Sequence, residues 1–151
     1  MLVSTSKSKS KLCRKIALIL SRAIPHAVYF GRGQRSILRL AKHAAGRRFE
    51  RICIVSPHKI YFFGLDGGKI EAVGAISIKK VLLALLPKVP PSGNLHFSGP
   101  KSKLLHKLFG PIFCSEGQDY FIAATKKAFC LKKGKQKLLE LEVDYEQKGC
   151  I

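Results

Sequence analysis

The first fifty residues alternate between short apolar runs and stretches in which apolar residues recur at helical spacing. The runs at 2–5 and 27–30 predict two short strands. Ser10 is a suitable N-cap for a helix that extends to about Arg22 and ends before Pro25. The inward positions of this helix are Leu12, Ile16, Ile19, Leu20 and Ala23. A second helix is predicted to begin near Ser36, with Ile37, Leu40, Ala41 and Ala44 facing inward.

The next stretch predicts a meander of strands and then a further helix. Residues 51–56, 59–65 and 69–75 have strand patterns, and they are separated by turn sequences at 57–58 and 66–68. Ser77 is a suitable cap for a helix that ends at Pro87. Its apolar face consists of Ile78, Val81, Leu82, Leu85 and Leu86. Residues 88–94 are rich in proline and glycine, which is typical of a linker.

The pattern then starts again in the second half of the chain. A short strand at 95–97 leads through Ser98 into a basic amphipathic helix whose inward residues are Leu104, Leu105, Leu108 and Phe109. Strands at 120–125, 128–132 and 138–143 follow. This repeated order predicts an α/β fold of two similar α/β halves with mixed sheets and basic helices, related by a pseudo-twofold axis. We expect a single domain over 1–151, with an N-terminal half 1–87, a linker 88–94 and a C-terminal half 95–151.

The charge balance indicates the class of partner. The chain of 151 residues contains 28 Lys and Arg but only 9 Asp and Glu, which gives a formal net charge of +19. Residues 1–49 contain twelve of the bases and no acid. Such a surface favours a polyanionic partner, with nucleic acid ahead of an anionic membrane. No apolar run approaches the ~18 residues that a membrane-spanning helix needs, so we expect no membrane association.

The residue types that usually carry chemistry are scattered. The five cysteines form no CxxC motif and no Cys–His ligand pair, and the five histidines share no ligand spacing. We therefore predict no metal site, no cofactor, no catalytic residue and no small-molecule substrate. Most of the cysteines are expected to be buried, reduced thiols, which is typical of a cytoplasmic protein. Glu140, Glu142, Asp144 and Glu146 alternate, which places them on one face of a strand.

Candidate RNA-binding residues come from the basic sides of the predicted helices and from the turns beside them. Their cations would neutralise phosphates, and the helix N-termini near Ser10 and Ser98 would offer backbone N–H groups. The candidates are Lys7, Ser10, Lys11, Arg14, Lys15, Arg22, Arg32, Arg35, Arg39, Lys101, Lys103 and Lys107. Tyr29 and Phe30, beside Arg32, either supply a group on which a base stacks or pack in the core.

The first 33 residues resemble the opening of the Brix domain. That opening reads approximately T-S-R-x-P-S-x-x-x-R, followed by a helix, L-P-N and R-G. The positions that match are Thr5, Ser6, Ser10, Arg14, Arg32 and Gly33. Lys7 stands where arginine is usual, which keeps the charge but loses the bidentate fork. Residues 97–100 are similar to the family's G-P-T segment, and the length is similar to that of the short archaeal Brix-type proteins.

The resemblance implies a non-catalytic role in ribosome assembly through binding of precursor ribosomal RNA. It also implies two similar α/β halves akin to the anticodon-binding domain of class II tRNA synthetases, and other assembly proteins as further partners. The residues themselves leave three other functions open. A module that binds tRNA or another structured nucleic acid would have the same charge. A small RNA-processing enzyme would show a buried histidine or carboxylate beside the basic face. A membrane-surface protein would leave a basic amphipathic helix undocked.

Overall fold

The computed structural model describes residues 1–7, 10–67, 69–87, 95–110 and 120–147. Within these ranges the chain forms three helices and nine strands. They are β1 (Leu2–Thr5), α1 (Lys11–Ala23), β2 (Val28–Tyr29), α2 (Ile37–Gly46), β3 (Arg51–Val55), β4 (Lys59–Asp66), β5 (Lys69–Ala84), β6 (Leu95–Ser98), α3 (Ser102–Phe109), β7 (Tyr120–Ala124), β8 (Ala128–Lys133) and β9 (Gln136–Gln147).

The described strands form one mixed sheet in the order β2-β1-β3-β4-β5-β9-β8-β7-β6. Strand β1 is parallel to both of its neighbours, β2 and β3, and β6 is parallel to β7. All the other neighbouring pairs are antiparallel. The sheet is therefore mixed in each half, as expected from the sequence.

The two halves repeat one arrangement. In the first, β1 leads through α1 towards β3, and β3, β4 and β5 form a meander; in the second, β6, α3, β7, β8 and β9 do the same. A twofold axis perpendicular to the sheet would exchange β5 with β9 and reverse the strand direction. These two strands pair antiparallel at the centre, with Ile78 opposite Val143. The expected α/β fold of two similar halves is confirmed, and β2 and α2 have no counterpart among the described residues of the second half.

The sheet has a different cover on each face. Helices α1 and α3 pack on one face, where their apolar residues and those of both meanders form the main core. Helix α2 packs on the other face, over a smaller cluster that includes Leu2, Ile52 and Ile54. Because side chains alternate along a strand, Leu2 contributes to the small cluster while its neighbour Val3 contributes to the main core. Helices α1 and α2 therefore lie on opposite sides of the sheet.

The first helix begins at its predicted cap, and the second begins where predicted, with Ser36 as its cap. The Ser10 hydroxyl accepts the backbone N–H of Cys13 at 3.3 Å, and the Ser36 hydroxyl accepts that of Arg39 at 3.3 Å. The inward positions of α1 are right except for Leu12, whose side chain is 45% exposed. Cys13 and Ala17 are buried instead. The buried stripe is centred on those residues, which leaves Leu12 on its flank in the first turn.

The helix predicted from Ser77 to Leu86 is wrong, because this segment continues β5 to Ala84. The strand pairs with β4 on one side and with β9 on the other. Its pairing with β9 shifts register twice, between Ile78 and Lys80 and between Val81 and Leu83. Each bulge adds a residue, so the core-facing positions Ile78, Val81 and Ala84 recur every three residues. A strand with two such bulges therefore shows the same spacing of apolar residues as an amphipathic helix, which is why the sequence predicted a helix here.

Smaller differences concern the ends of elements. The strand predicted at 27–30 has only two ladder residues, and the last strand is longer than 138–143. Helix α3 has Lys101 rather than Ser98 at its N-cap position, and no side chain caps it. The predicted side of α3 is nevertheless right, because Leu104, Leu105, Leu108 and Phe109 are buried. The predicted linker 88–94 lies outside the described residues.

Gly99 occupies a position that only glycine fits. Its φ is 88°, and a Cβ atom there would overlap the carbonyl oxygen of Ala124. We expect Gly99→Ala to lower the free energy of unfolding by about 3 kcal/mol or more, because a left-handed backbone and a steric overlap add up. Gly134 has φ 56° but open space around it. Gly134→Ala should therefore cost only ~1–2 kcal/mol. Urea unfolding of both variants tests this, and equal losses would contradict it.

Candidate nucleic-acid interface

The carboxyl ends of β2, β1 and β3 meet at one edge of the sheet. Backbone bonds hold the segments that follow these strands side by side: Phe30 N–H donates to the Val3 carbonyl at 2.8 Å, and Ser6 N–H donates to the Val55 carbonyl at 2.8 Å. Helices α1 and α2 start here and leave to opposite faces of the sheet. In open α/β sheets, the crevice at such a divergence is the usual place for a ligand. We name residues 6–7, 10–15, 30–39 and 56–58 the basic edge.

The first turn of α1 supplies exposed cations to the basic edge. Lys11, Arg14 and Lys15 are exposed, and Lys7 is exposed just before them. Arg14 and Lys15 lie three and four residues after Lys11, so the three side chains occupy neighbouring positions on the helix surface. No acidic residue is present in the first turn. The positive end of the helix dipole and these cations add, which suits an anion.

The loop into α2 is arranged by Arg32. Only 9% of this residue is exposed, and its Nε donates to the Arg35 carbonyl at 2.8 Å. The Arg35 backbone N–H in turn donates to the Arg32 carbonyl at 3.1 Å. Arg35 and Arg39 remain exposed. Arg32 therefore shapes the loop. Arg35 and Arg39 hold their guanidinium groups at the surface, and Arg35 Nη1 also donates to the Gly31 carbonyl at 3.3 Å.

The two aromatic residues before this loop pack on the protein itself. The Phe30 ring stacks on the His43 ring with centroids 4.1 Å apart, and the Arg35 Cζ lies 5.2 Å from the Phe30 centroid. Tyr29 is half-buried against the main core. The sequence left open whether Tyr29 and Phe30 stack on a base or pack in the core; in the structure both pack on the protein. Phe30 also fixes Arg35 by a cation–π contact.

Every residue that matches the Brix opening lies on or directly beside the basic edge. Thr5 ends β1, while Ser10 and Arg14 belong to the start of α1. Arg32 and Gly33 belong to the loop before α2. Positions almost thirty residues apart in sequence therefore meet at one site.

The structure does not bring the remaining predicted residues to this edge. Arg22 lies in the last turn of α1, where its Nη1 donates to the Pro87 carbonyl at 3.2 Å. Lys101, Lys103 and Lys107 belong to α3 and its cap, in the other half. Lys107 lines a small cavity together with Arg51, Asp66 and Glu71. The twelve candidates therefore divide into eight at the basic edge and four elsewhere.

The acidic residues of the last strand lie away from the basic edge. Glu140, Glu142 and Asp144 alternate with the core residues Leu139, Leu141 and Val143, as predicted. The side chain of Glu146 lies outside the described part. Lys137 Nζ contacts Glu140 at 2.9 Å, and Lys79 Nζ contacts Asp144 at 2.9 Å. Lysines on the same surface thus balance these carboxylates, and the basic edge itself contains no acid.

Two histidines, His58 in the basic edge and His43 beside it, escaped the sequence prediction. His58 is exposed in the turn between β3 and β4. His43 is half-buried, and its Nε2 has no hydrogen-bond partner among the described residues. The signal available for His58 was its position in the predicted turn between two strands. This turn lies beside Thr5 and Ser6, because β3 pairs with β1. His43 was hidden because its position depends on how α2 packs. It is the type of residue that an RNA-processing enzyme would need, but no carboxylate among the described residues bonds to its Nε2.

The described part of the chain shows little else that suits catalysis or metal binding. No group of three or more His, Cys, Asp or Glu side chains among the described residues is placed to hold a metal ion. Cys13, Cys53 and Cys130 are buried and form no disulfide. Burial raises the pKa of the Cys53 and Cys130 thiols, and the Glu140 carboxylate adds to the effect at Cys130. Both thiols are therefore protonated at neutral pH, whereas thiol nucleophiles act as thiolates.

Arg32 is expected to matter for stability more than its exposed neighbours do. Arg32→Ala removes a buried donor from the Arg35 carbonyl, so we expect the free energy of unfolding to fall by ~1–3 kcal/mol. Arg39→Ala removes an exposed cation near a helix N-terminus and should change it by less than ~0.5 kcal/mol. Urea midpoints of the two variants measure the difference. Equal midpoints would show that Arg32 has no role in holding the loop.

Comparison with known proteins identifies the fold. No protein-family model matches the sequence, and no curated protein sequence matches it. A probable ribosomal biogenesis protein from Aeropyrum pernix K1 superposes with a TM-score of 0.73 and 21% identity, over 98% of this chain and 96% of that chain. Mil, an archaeal Imp4-like protein, superposes with a TM-score of 0.67 and 22% identity, over 97% of this chain and 99% of that one. The chain thus has the fold of the archaeal Imp4-like proteins, as its resemblance to the Brix family led us to expect.

Proposed function

We propose that this protein is a ribosome biogenesis factor that binds precursor ribosomal RNA through the basic edge. The observation that carries the proposal is the convergence of the Brix-matching residues on a cationic, acid-free crevice. Two proteins with the same fold, the Aeropyrum pernix protein and Mil, support it, because the first is described as a probable ribosomal biogenesis protein. The RNA partner is precursor rRNA, other assembly proteins are further partners, and the site of action is the cytoplasm.

The mechanism is recognition of the RNA backbone without making or breaking a bond. Lys7, Lys11, Arg14 and Lys15 contact phosphates from one side of the crevice, and Arg35 and Arg39 contact them from the other. Release of counterions from the RNA supplies most of the binding free energy, so the affinity depends steeply on salt. The first turns of α1 and α2 and the loop held by Arg32 fix the positions of the cations before RNA binds. This fits recognition of a folded RNA by its shape.

The helices give no support to a membrane-surface role. Each of the three described helices docks an apolar face against the sheet. No helix in the described ranges is long and apolar enough to cross a bilayer.

Crosslinking in cells tests the proposed function. The protein is crosslinked to RNA by ultraviolet light in its native cells, and the bound RNA is sequenced. We expect reads to accumulate at a few positions of precursor rRNA. Reads concentrated on tRNA, or distributed according to RNA abundance, would contradict the role in ribosome biogenesis.

A further inference from the structure

A cavity of about 270 Å³ lies at the opposite ends of the strands that form the basic edge. Its lining comes from Met1, from the connections after α1 and α2, from the start of β3 and from Phe109 at the end of α3. It is therefore separated from the basic edge by the length of β1 and β3. Its volume is close to the lower end of the ~300–1,000 Å³ that is usual for small-molecule sites.

The cavity is positively charged, and the terminal ammonium of Met1 is the cation that the Glu50 carboxylate attracts. Arg47, Arg48 and Arg51 line it, and Glu50 is the one carboxylate among its described lining residues. Within the described part of the chain, Glu50 forms no ion pair with these arginines. The carbonyls at the end of α2 are satisfied by the backbone: Arg47 and Arg48 N–H groups donate to the Ala44 and Ala45 carbonyls at 3.1 and 2.9 Å. The guanidinium groups are thus not needed as helix caps.

The backbone is strained at this cavity. The described residues other than glycine that have a positive φ are His26, at 56°, and Arg48, at 58°, and both line it. The residue after a helix commonly adopts this conformation, but it is usually glycine. An arginine at this position is less favourable for the fold, and such strain is often found at functional sites.

The Arg51 side chain has a hydrogen-bond donor without a partner among the described residues. Its Nε is buried and has no hydrogen-bond partner among the described residues. The side chain passes between two glycines, because a Cβ at Gly64 would lie 2.9 Å from Nη1 and one at Gly110 would lie 3.1 Å from Nε. The fold therefore leaves room for this guanidinium, whose Nη1 donates to the Glu50 carbonyl at 3.4 Å while its Nε is not satisfied. A buried, unpaired cationic donor favours an anionic ligand.

We propose that this cavity binds a phosphorylated nucleoside, with its phosphate on Arg48 and Arg51 and its base against the half-buried ring of Phe49. Arg48 and Arg51 offer guanidinium groups to phosphate oxygens. Phe49 packs against the small core cluster and also lines the cavity, where its ring offers a surface for stacking. Two sources share this chemistry: a free mononucleotide and the 5′-phosphorylated end of an RNA chain. The proposal does not depend on RNA binding at the basic edge, because it can be tested with a mononucleotide alone.

The decisive variant is Arg48→Gly. Glycine adopts the observed φ without strain, so this variant should unfold at a higher temperature than the parent protein. It also removes a phosphate contact, so we expect its affinity for AMP, measured by isothermal titration calorimetry, to fall at least tenfold. Lys126→Ala removes one charge from an exposed turn far from the cavity and should leave AMP affinity within twofold. If Arg48→Gly proves insoluble, Arg48→Asn gives the same comparison, because asparagine also tolerates the left-handed φ of this position.

The ligands used in the titration separate the outcomes. Adenosine should bind at least tenfold more weakly than AMP, because it lacks the phosphate. A 5′-phosphorylated tetranucleotide that binds at least tenfold more tightly than both AMP and the same tetranucleotide with a 5′-hydroxyl assigns the cavity to an RNA end, because the basic edge binds the two tetranucleotides alike. Equal affinities of the phosphorylated tetranucleotide and AMP assign the cavity to a free mononucleotide. Absence of AMP and tetranucleotide binding at millimolar concentration would overturn the proposal, as would an Arg48→Gly variant with unchanged affinity.

Discussion

Replacing Lys11, Arg14 and Arg39 together by alanine is expected to weaken binding of precursor rRNA at least tenfold near physiological salt. The slope of log K against log salt should become shallower by about 2 to 3, because each lost phosphate contact removes ~0.7–0.9. All three side chains are exposed, and all three lie near helix N-termini, where a cation is unfavourable. The substitutions should therefore leave the fold intact, and circular dichroism and filter binding at several salt concentrations measure both effects.

A variant with the same loss of charge controls for the net charge of the protein. Lys126, Lys127 and Lys135 are exposed on the turns beside β8, in the half that lacks the basic edge. Their triple alanine variant should keep most of the affinity and most of the salt slope. If the two triple variants behave alike, binding follows overall charge and the basic edge is not the interface.

Phe109→Ala is expected to produce the largest loss of stability. The Phe109 ring lies at the end of α3, with its centroid 4.8 Å from Phe62, 5.6 Å from Phe97 and 6.4 Å from Phe129. It therefore contacts β4 of the first half and β6 and β8 of the second. Truncating a buried phenylalanine costs ~3–5 kcal/mol. That is a large share of the ~5–15 kcal/mol that stabilises a typical domain.

The same experiment tests whether the chain behaves as one domain. We propose that residues 1–151 form a single domain with halves 1–87 and 95–151, so urea unfolding of Phe109→Ala should remain one transition at a lower midpoint. Phe121→Ala is the matched control, because this ring is 37% exposed and should cost less than ~1 kcal/mol. Two separate transitions, or equal losses for the two variants, would contradict the shared core.

The sequence predicted most accurately what depends on nearby residues. Ser10 and Ser36 cap helices because a hydroxyl beside the first turn can satisfy a free N–H group, which requires no knowledge of the rest of the fold. The two halves were also predicted correctly, because the order of strands and helices in each half was read from local sequence patterns. The segment 77–86 failed because its partner strand β9 lies some sixty residues away, and the bulges in their pairing imitate a helical period.

The candidate site was predicted in part. Exposed cations at the start of α1 follow from its amphipathic pattern. The burial of Arg32 does not, because its contact with the Arg35 carbonyl depends on the loop conformation. The position of α2 on the face opposite α1 does not follow from the sequence either. This position gives the crevice at the basic edge its two walls. The cavity beside Arg51 escaped prediction because its lining comes from separate connections that only the folded chain brings together.

Mapping the amino acids that crosslink to RNA tests the central claim most directly. The protein bound to precursor rRNA is irradiated, digested and analysed by mass spectrometry to locate the modified residues. We expect crosslinks in residues 6–15 and 30–39, on both sides of the crevice. Crosslinks confined to α3 and the strands of the second half, with none in those two segments, would contradict the assignment of the basic edge as the RNA interface.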